Sequence, residues 1–454
     1  MTAKLFIGTV VNSRALGEIE ILENVAVAVN ESGNITSITA LDSPDYERTV
    51  TCFTPESIVR LPKYAFIIPG FIDCHIHSPQ YRYAGTGTDV PLMNWLNKYA
   101  FPTERRFLDD ADFATKTYSR LIKRCLSNGT TTACFFATIH LYPTLNFVSL
   151  IREAGMRAFV GKVSMDQNSP KYYVEDTNEA ISAADEFVKA VLETSGDARA
   201  ALVTPVITPR FLPTCSPQLL KSLAAIAKKY DVPIQSHMSE ALDEIEYVHQ
   251  LYGKADPEIF AENGLLTCKT IMAHSIHLSD GDIKILRDHG TGIAHCPLSN
   301  YFFADGILRT RHLLRSGIKV GLGSDIAGGY SVSILENMRH AVISSKILVS
   351  QRKRTIGTAN KESDETDEIS YKDAFYLATM GGAQVLNIDH VVGAIEVGKA
   401  FDAIVVHCAD DNGNGIGGME VWSDDTAESL FEKFINLGGV ENMKSVYVAG
   451  NKVV

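Results

Sequence analysis

Eight short apolar runs rich in β-branched residues recur through the middle of the chain, each followed by a longer stretch of helical period. They occupy 66–77, 129–138, 157–166, 201–210, 232–240, 270–278, 290–300 and 318–328. Such alternation is the pattern of βα units around a parallel sheet. Several runs open just after a glycine suited to end the preceding helix, namely Gly129, Gly155, Gly290 and Gly317. Helices are predicted between them, for example over 110–129 and over 216–231, where Ser216 can cap and Pro217 takes the first helical position. Eight strands with intervening helices over about 260 residues suggest a (β/α)8 TIM-like barrel. A doubly wound open sheet is the competing topology, but no GxGxxG opens its first helix.

The pattern changes at both ends. Residues 1–65 and 388–454 carry short strand-like pieces such as "LFIGTVV", "NVAVAVN", "FDAIVV" and "SVYVAGNKVV", separated by Gly, Asn and Asp turns. Neither end looks self-sufficient, so the two are predicted to pair into one small β-sandwich beside a barrel spanning 66–387. The stretch 353–370 is polar and charged throughout and reads as a solvated loop.

Composition narrows the partners. The chain has 454 residues, 45% of them hydrophobic, enough for a large core. A net charge of −12 argues against broad binding to nucleic acid or anionic membranes, which needs a basic face. The eight cysteines form no CxxC pair and lie mostly in apolar segments, which fits reduced thiols in the cytoplasm. No basic start with a long apolar run behind it marks the first residues, and no stretch approaches the ~20 apolar residues of a membrane span.

Chemistry collects where the apolar runs end. Residues i and i+2 of a strand share a face, so His75 and His77 in "DCHIH" would both point into the mouth of a barrel. Alone, an H-x-H is more often two unrelated polar residues. His237 in "SHMSE", His274 in "IMAHSIH" and Asp325 in "GSDIAGG" close other runs in the same way. A strand-end histidine commonly satisfies a loop carbonyl and an Asp there is often a helix cap, yet five such groups together suit Zn2+ or Fe2+.

This set, H-x-H after the first strand, His after the fifth and sixth and Asp after the eighth, resembles the amidohydrolase superfamily. With "VPLMNWLNKYAFPTERRF" (90–107), "NGTTTACFFATIH" (128–140), "TPRF" (208–211), "SHMSE" (236–240), "HCPLSN" (295–300) and "GLGSDIAGGYS" (321–331), nearly the full length resembles the eukaryotic-type guanine deaminase family. The resemblance implies a zinc hydrolase that converts guanine and water to xanthine and ammonia, often as a homodimer. It implies metal ligation by His75, His77, His237 and Asp325, with His274 holding the attacking water. No lysine stands in "TPVITPR" where binuclear members carry a carbamylated one, which favours one Zn2+ per chain.

Deamination needs proton traffic, and Glu240, three residues beyond His237, is the candidate shuttle, with Asp325 as a second acceptor. Arg210 can donate to a purine carbonyl, Phe211 can stack and Gln80 can both donate and accept at ring nitrogens. The plain alternatives are an exposed loop glutamate, a salt bridge from Arg210 to an acid and core packing for Phe211. His140 and His295 are expected to be satisfied structural histidines. Two other functions stay open: a deaminase or chlorohydrolase acting on another aminated heterocycle, and a non-catalytic scaffold.

Overall fold

The computed structural model describes residues 2–193, 200–304, 306–356 and 367–454. Each of the eight apolar runs contains a parallel strand: Phe71–His77, Thr130–Phe136, Arg157–Gly161, Val203–Pro205, Ile234–Met238, Thr270–His274, Gly292–His295 and Lys319–Leu322. The first four ladder together in chain order, as do the last four, and the short pieces Val163–Ser164 and Thr208–Pro209 pair beyond the third and fourth. Nearly all of these residues are buried whichever face they point to, which is why the runs are continuous rather than alternating.

Backbone bonds also join the two ladders. Between the fourth and fifth strands, Ile207 N donates to Pro233 O at 2.9 Å and Gln235 N to Ile207 O at 2.9 Å. Between the eighth and first, Asp325 N donates to His75 O at 2.9 Å and His77 N to Ile326 O at 3.1 Å. The fold is mixed α/β.

The helices start and stop as their ends dictate. Asp110 caps Ala111–Ser127 by accepting from Phe113 N at 2.9 Å, and Ser216 caps Pro217–Tyr230 by accepting from Leu219 N at 3.2 Å. Gly155 and Gly290 follow their helices in the left-handed conformation, at φ 71° and 70°.

Two expectations change. The run 66–77 is two strands, because Gly70 breaks it: Ala65–Pro69 joins the sheet built from the chain ends, and Phe71–His77 joins the parallel strands. Pro69 has no N–H to continue a ladder, and a Cβ on Gly70 would meet Thr131 Oγ1 at 2.2 Å. The polar stretch 353–370 is not all loop. Helix Ile334–Ile356 runs through its first four residues, 357–366 lie outside the described residues, and helix Tyr371–Tyr376 follows.

The two chain ends do meet. Strands Lys4–Asn12, Glu20–Val29, Ile35–Ala40 and Ile58–Arg60 from one end, Ala403–His407, Met443–Val448 and Asn451–Lys452 from the other, and Ala65–Pro69 form one eight-stranded sheet. Ala65–Pro69 sits between the two contributions, so the segment that leads into the first parallel strand also ties the ends together.

Candidate active site

Asp73, His75 and His77 lie along the first strand and all are buried, and the strand's register against its neighbour shifts between Asp73 and Ile76, just where the two histidines enter the site. His237 near the end of the fifth strand, His274 at the end of the sixth and Asp325 just beyond the eighth complete the group. His77 Nε2 lies 3.0 Å from His237 Nε2, and Asp325 Oδ1 lies 3.1 Å from His75 Nε2 and 3.6 Å from His77 Nε2. His274 Nε2 stands 3.7 Å from Asp325 Oδ2 and 3.5 Å from Glu240 Oε2. The backbone is unusual here: Ser239, His274 and Asp325 have φ of 46°, 65° and 46°, a region that non-glycine residues occupy only when their surroundings hold them there.

The protonation pattern follows from burial and neighbours. His237 Nδ1 approaches Arg210 O at 2.6 Å, so it carries the proton and its Nε2 lone pair faces inward. Burial, and then the neighbouring imidazoles, hold His77 and His237 well below the ordinary histidine range, so both rings are neutral. Burial alone would raise Asp325, but the imidazoles of His75, His274 and His77 hold its carboxyl below the usual carboxylate range.

Neutral ring nitrogens and a carboxylate oxygen therefore converge with too few protons to share. Ligand atoms of His75, His77 and His237 lie within 4.8 Å of one another, as do those of His75, His274 and Asp325. His75 Nε2 is buried with no hydrogen bond among the described residues, although Asp325 is close. This donor set fits a divalent cation of the zinc type.

A second ring of groups, not singled out from sequence, holds the first in place. Asp73 Oδ1 accepts from His75 N at 3.1 Å and from Ser324 N at 3.0 Å, tying the first strand to the eighth. Burial pushes Asp73 up to about 7, against the hydrogen bonds from Ser324. Asn300 Oδ1 faces His274 Nδ1 at 3.0 Å and so aims Nε2 toward Glu240 and Asp325. Burial would lower His274, but Glu240 and Asp325 outweigh it and push the ring up, while burial raises Glu240.

A cleft of about 460 Å3, open mouth included, brings His77, His237, Glu240, His274 and Asp325 together with Gln80, Arg210 and Phe211. Leu92, Trp95, Leu96 and Phe303 add apolar wall. The nine residues proposed from sequence thus gather at one place, His75 lying just behind the lining. Glu240 is buried, not an exposed loop glutamate.

Arg210 is placed for both readings that its sequence context allowed. It lines the cleft, and its guanidinium also forks onto Glu104, Nη1 to Oε2 at 2.7 Å and Nη2 to Oε1 at 3.1 Å. Glu104 was missed, although it lies in the quoted segment 90–107. The available signal was an acid between Phe101 and Phe107 on one buried helix face. The expectation for His140 and His295 needs correcting. Both ring nitrogens of His295 and Nε2 of His140 are buried with no hydrogen-bond partner among the described residues. Burial and nearby His274 hold His295 down at about 3, so it stays neutral.

Residues 66–453 match the amidohydrolase family. The chain is 40% identical to a guanine deaminase of Dictyostelium discoideum, covering 99% of this chain and 98% of the relative. It is likewise 40% identical to a guanine deaminase of Homo sapiens, covering 100% and 97%. Among solved structures, a guanine deaminase from C. acetobutylicum with bound guanine in its active site is similar along 100% of both chains, with a TM-score of 0.88 and 33% identity. The chain belongs to the amidohydrolase family, in the branch that holds the guanine deaminases.

Proposed function

We propose that this chain hydrolyses guanine to xanthine and ammonia. The observation that carries the reading is the placement, in one cleft, of an amide-reading end built from Arg210 and Gln80 with a proton-transfer end built from Glu240, His274 and Asp325. His75, His77, His237 and Asp325 would hold a single zinc ion. When bound, that ion supplies Lewis-acid polarisation of water, bringing its pKa toward ~7. Glu240 takes a proton from the attacking water, passes it to the purine ring nitrogen and helps the amine leave protonated. Asp325 is the second acceptor, and the raised His274, fixed by Asn300, orients the water. Phe211 offers its ring to the base.

The same reading takes the parallel strands as a (β/α)8 barrel over 66–387, supported by the backbone bonds that join the two ladders. Residues 1–65 and 388–454 are read as the two parts of a β-sandwich domain, supported by the sheet they share. A cytoplasmic homodimer fits the eight free thiols and the family, and no described helix is long and apolar enough to cross a membrane.

Ammonia release over a panel of guanine, adenine, cytosine, 8-azaguanine and S-adenosylhomocysteine tests the substrate. Guanine is expected to lead, and faster release from another member would transfer the reading to a related heterocycle deaminase. No release from any member would favour the scaffold. Elemental analysis is expected to find about one zinc per chain. The buried Lys162, just beyond the third strand, is paired with Glu175 and so is not a free amine for the carbamylation that a metal-bridging lysine needs. Two metals per chain in fully active protein would count against the single-ion reading.

A further inference from the structure

We propose that Glu104 is a specificity-determining residue: by neutralising Arg210 it makes the carbonyl-reading end of the cleft select an uncharged amide and reject its anion. The inference rests on the deaminase reading for the ligand's identity. Glu104 is buried on helix Phe101–Asp109, does not line the cleft and uses both oxygens fully. Oε1 accepts from Gln80 Nε2 at 3.1 Å and from Arg210 Nη2 at 3.1 Å, while Oε2 accepts from Arg210 Nη1 at 2.7 Å and from Tyr173 OH at 2.5 Å. Gln80 Oε1 meanwhile accepts from Ala327 N at 3.1 Å, which settles the orientation of its amide. One carboxylate therefore aims both residues that would read the base.

Its second effect is charge. A lone guanidinium in a buried cleft would attract an anion strongly, since interactions between charges grow as water is excluded. Paired in a fork with Glu104, it keeps N–H donors for a carbonyl and loses most of its pull on a net negative ligand. The other titratable groups facing Glu104 are Tyr83, Tyr118, Tyr173 and His140. Burial keeps all four uncharged near neutrality, raising the tyrosines and lowering His140 to about 4. This matters for turnover because xanthine, with a carbonyl where guanine has its amine, gives up a ring proton more readily. An unneutralised Arg210 would hold the product's anion in the site.

The test is calorimetric binding of xanthine and of hypoxanthine, which stays uncharged, from slightly acid to slightly alkaline pH. The ratio of the xanthine Kd to the hypoxanthine Kd cancels titrations of the protein itself. In the wild type this ratio is expected to rise by ~10-fold as xanthine ionises, and in Glu104→Gln to fall by ~10-fold. Tyr173→Phe removes one hydrogen bond from Glu104 but leaves both charges, so it should follow the wild type. A Glu104→Gln ratio that also rises overturns the proposal, as does a falling ratio in Tyr173→Phe. Should Glu104→Gln fail to fold, the wild-type series decides, a falling ratio overturning the proposal and a rising one supporting it. Binding is read without turnover, so missing ammonia from guanine would tell against the deaminase reading alone.

Discussion

Replacing Glu240 by Gln is expected to cut guanine turnover by ~10²-fold or more while metal content stays unchanged. Gln keeps the shape and hydrogen-bonding capacity of the side chain but cannot carry a proton from water to the ring. The structure makes the effect specific, because Glu240 is held on both sides. Glu244 Oε2 accepts from Glu240 N at 2.9 Å, and Asp256 Oδ2 accepts from the N of left-handed Ser239, also at 2.9 Å. The variant should therefore retain the loop's conformation, and steady-state kinetics beside elemental analysis separates lost chemistry from lost metal. If near-normal turnover persists, the proton travels by another group, and Asp325 becomes the one to examine.

Much of this site was legible because strand ends leave a local signature. His75, His77, His237, His274 and Asp325 each interrupt an apolar run, so their alignment follows once the runs are read as parallel strands. The supporting groups left no such trace. The partner of Glu104 is 106 residues away, so only a fold can show that the acid on an apolar helix face is paired. Asp73 hid in plain view, two residues before His75, because an acid inside a strand acquires meaning only when Ser324 arrives from the far end of the chain. The break at Gly70 was equally hidden. "FIIPGFIDCHIH" is apolar on both sides of the break, so its Pro-Gly pair does not by itself tell that the two halves join different sheets.

Guanine is expected to be preferred over adenine by ~10³-fold or more in kcat/KM, because a site built to hydrogen-bond a carbonyl strands its donors when an amine stands there instead. Arg210→Met should lower guanine turnover steeply and change adenine's already poor rate little, blunting the distinction. The fork onto Glu104 adds a complication. Met at 210 leaves a buried carboxylate without its cation, and breaking a buried pair costs roughly 3–5 kcal/mol of stability. The double variant Glu104→Gln with Arg210→Met removes both charges and should recover much of that stability, read as the thermal midpoint, without recovering selectivity. If the double variant regains the preference for guanine, or if guanine and adenine lose equally in both variants, Arg210 serves the packing around Glu104 rather than reading the base.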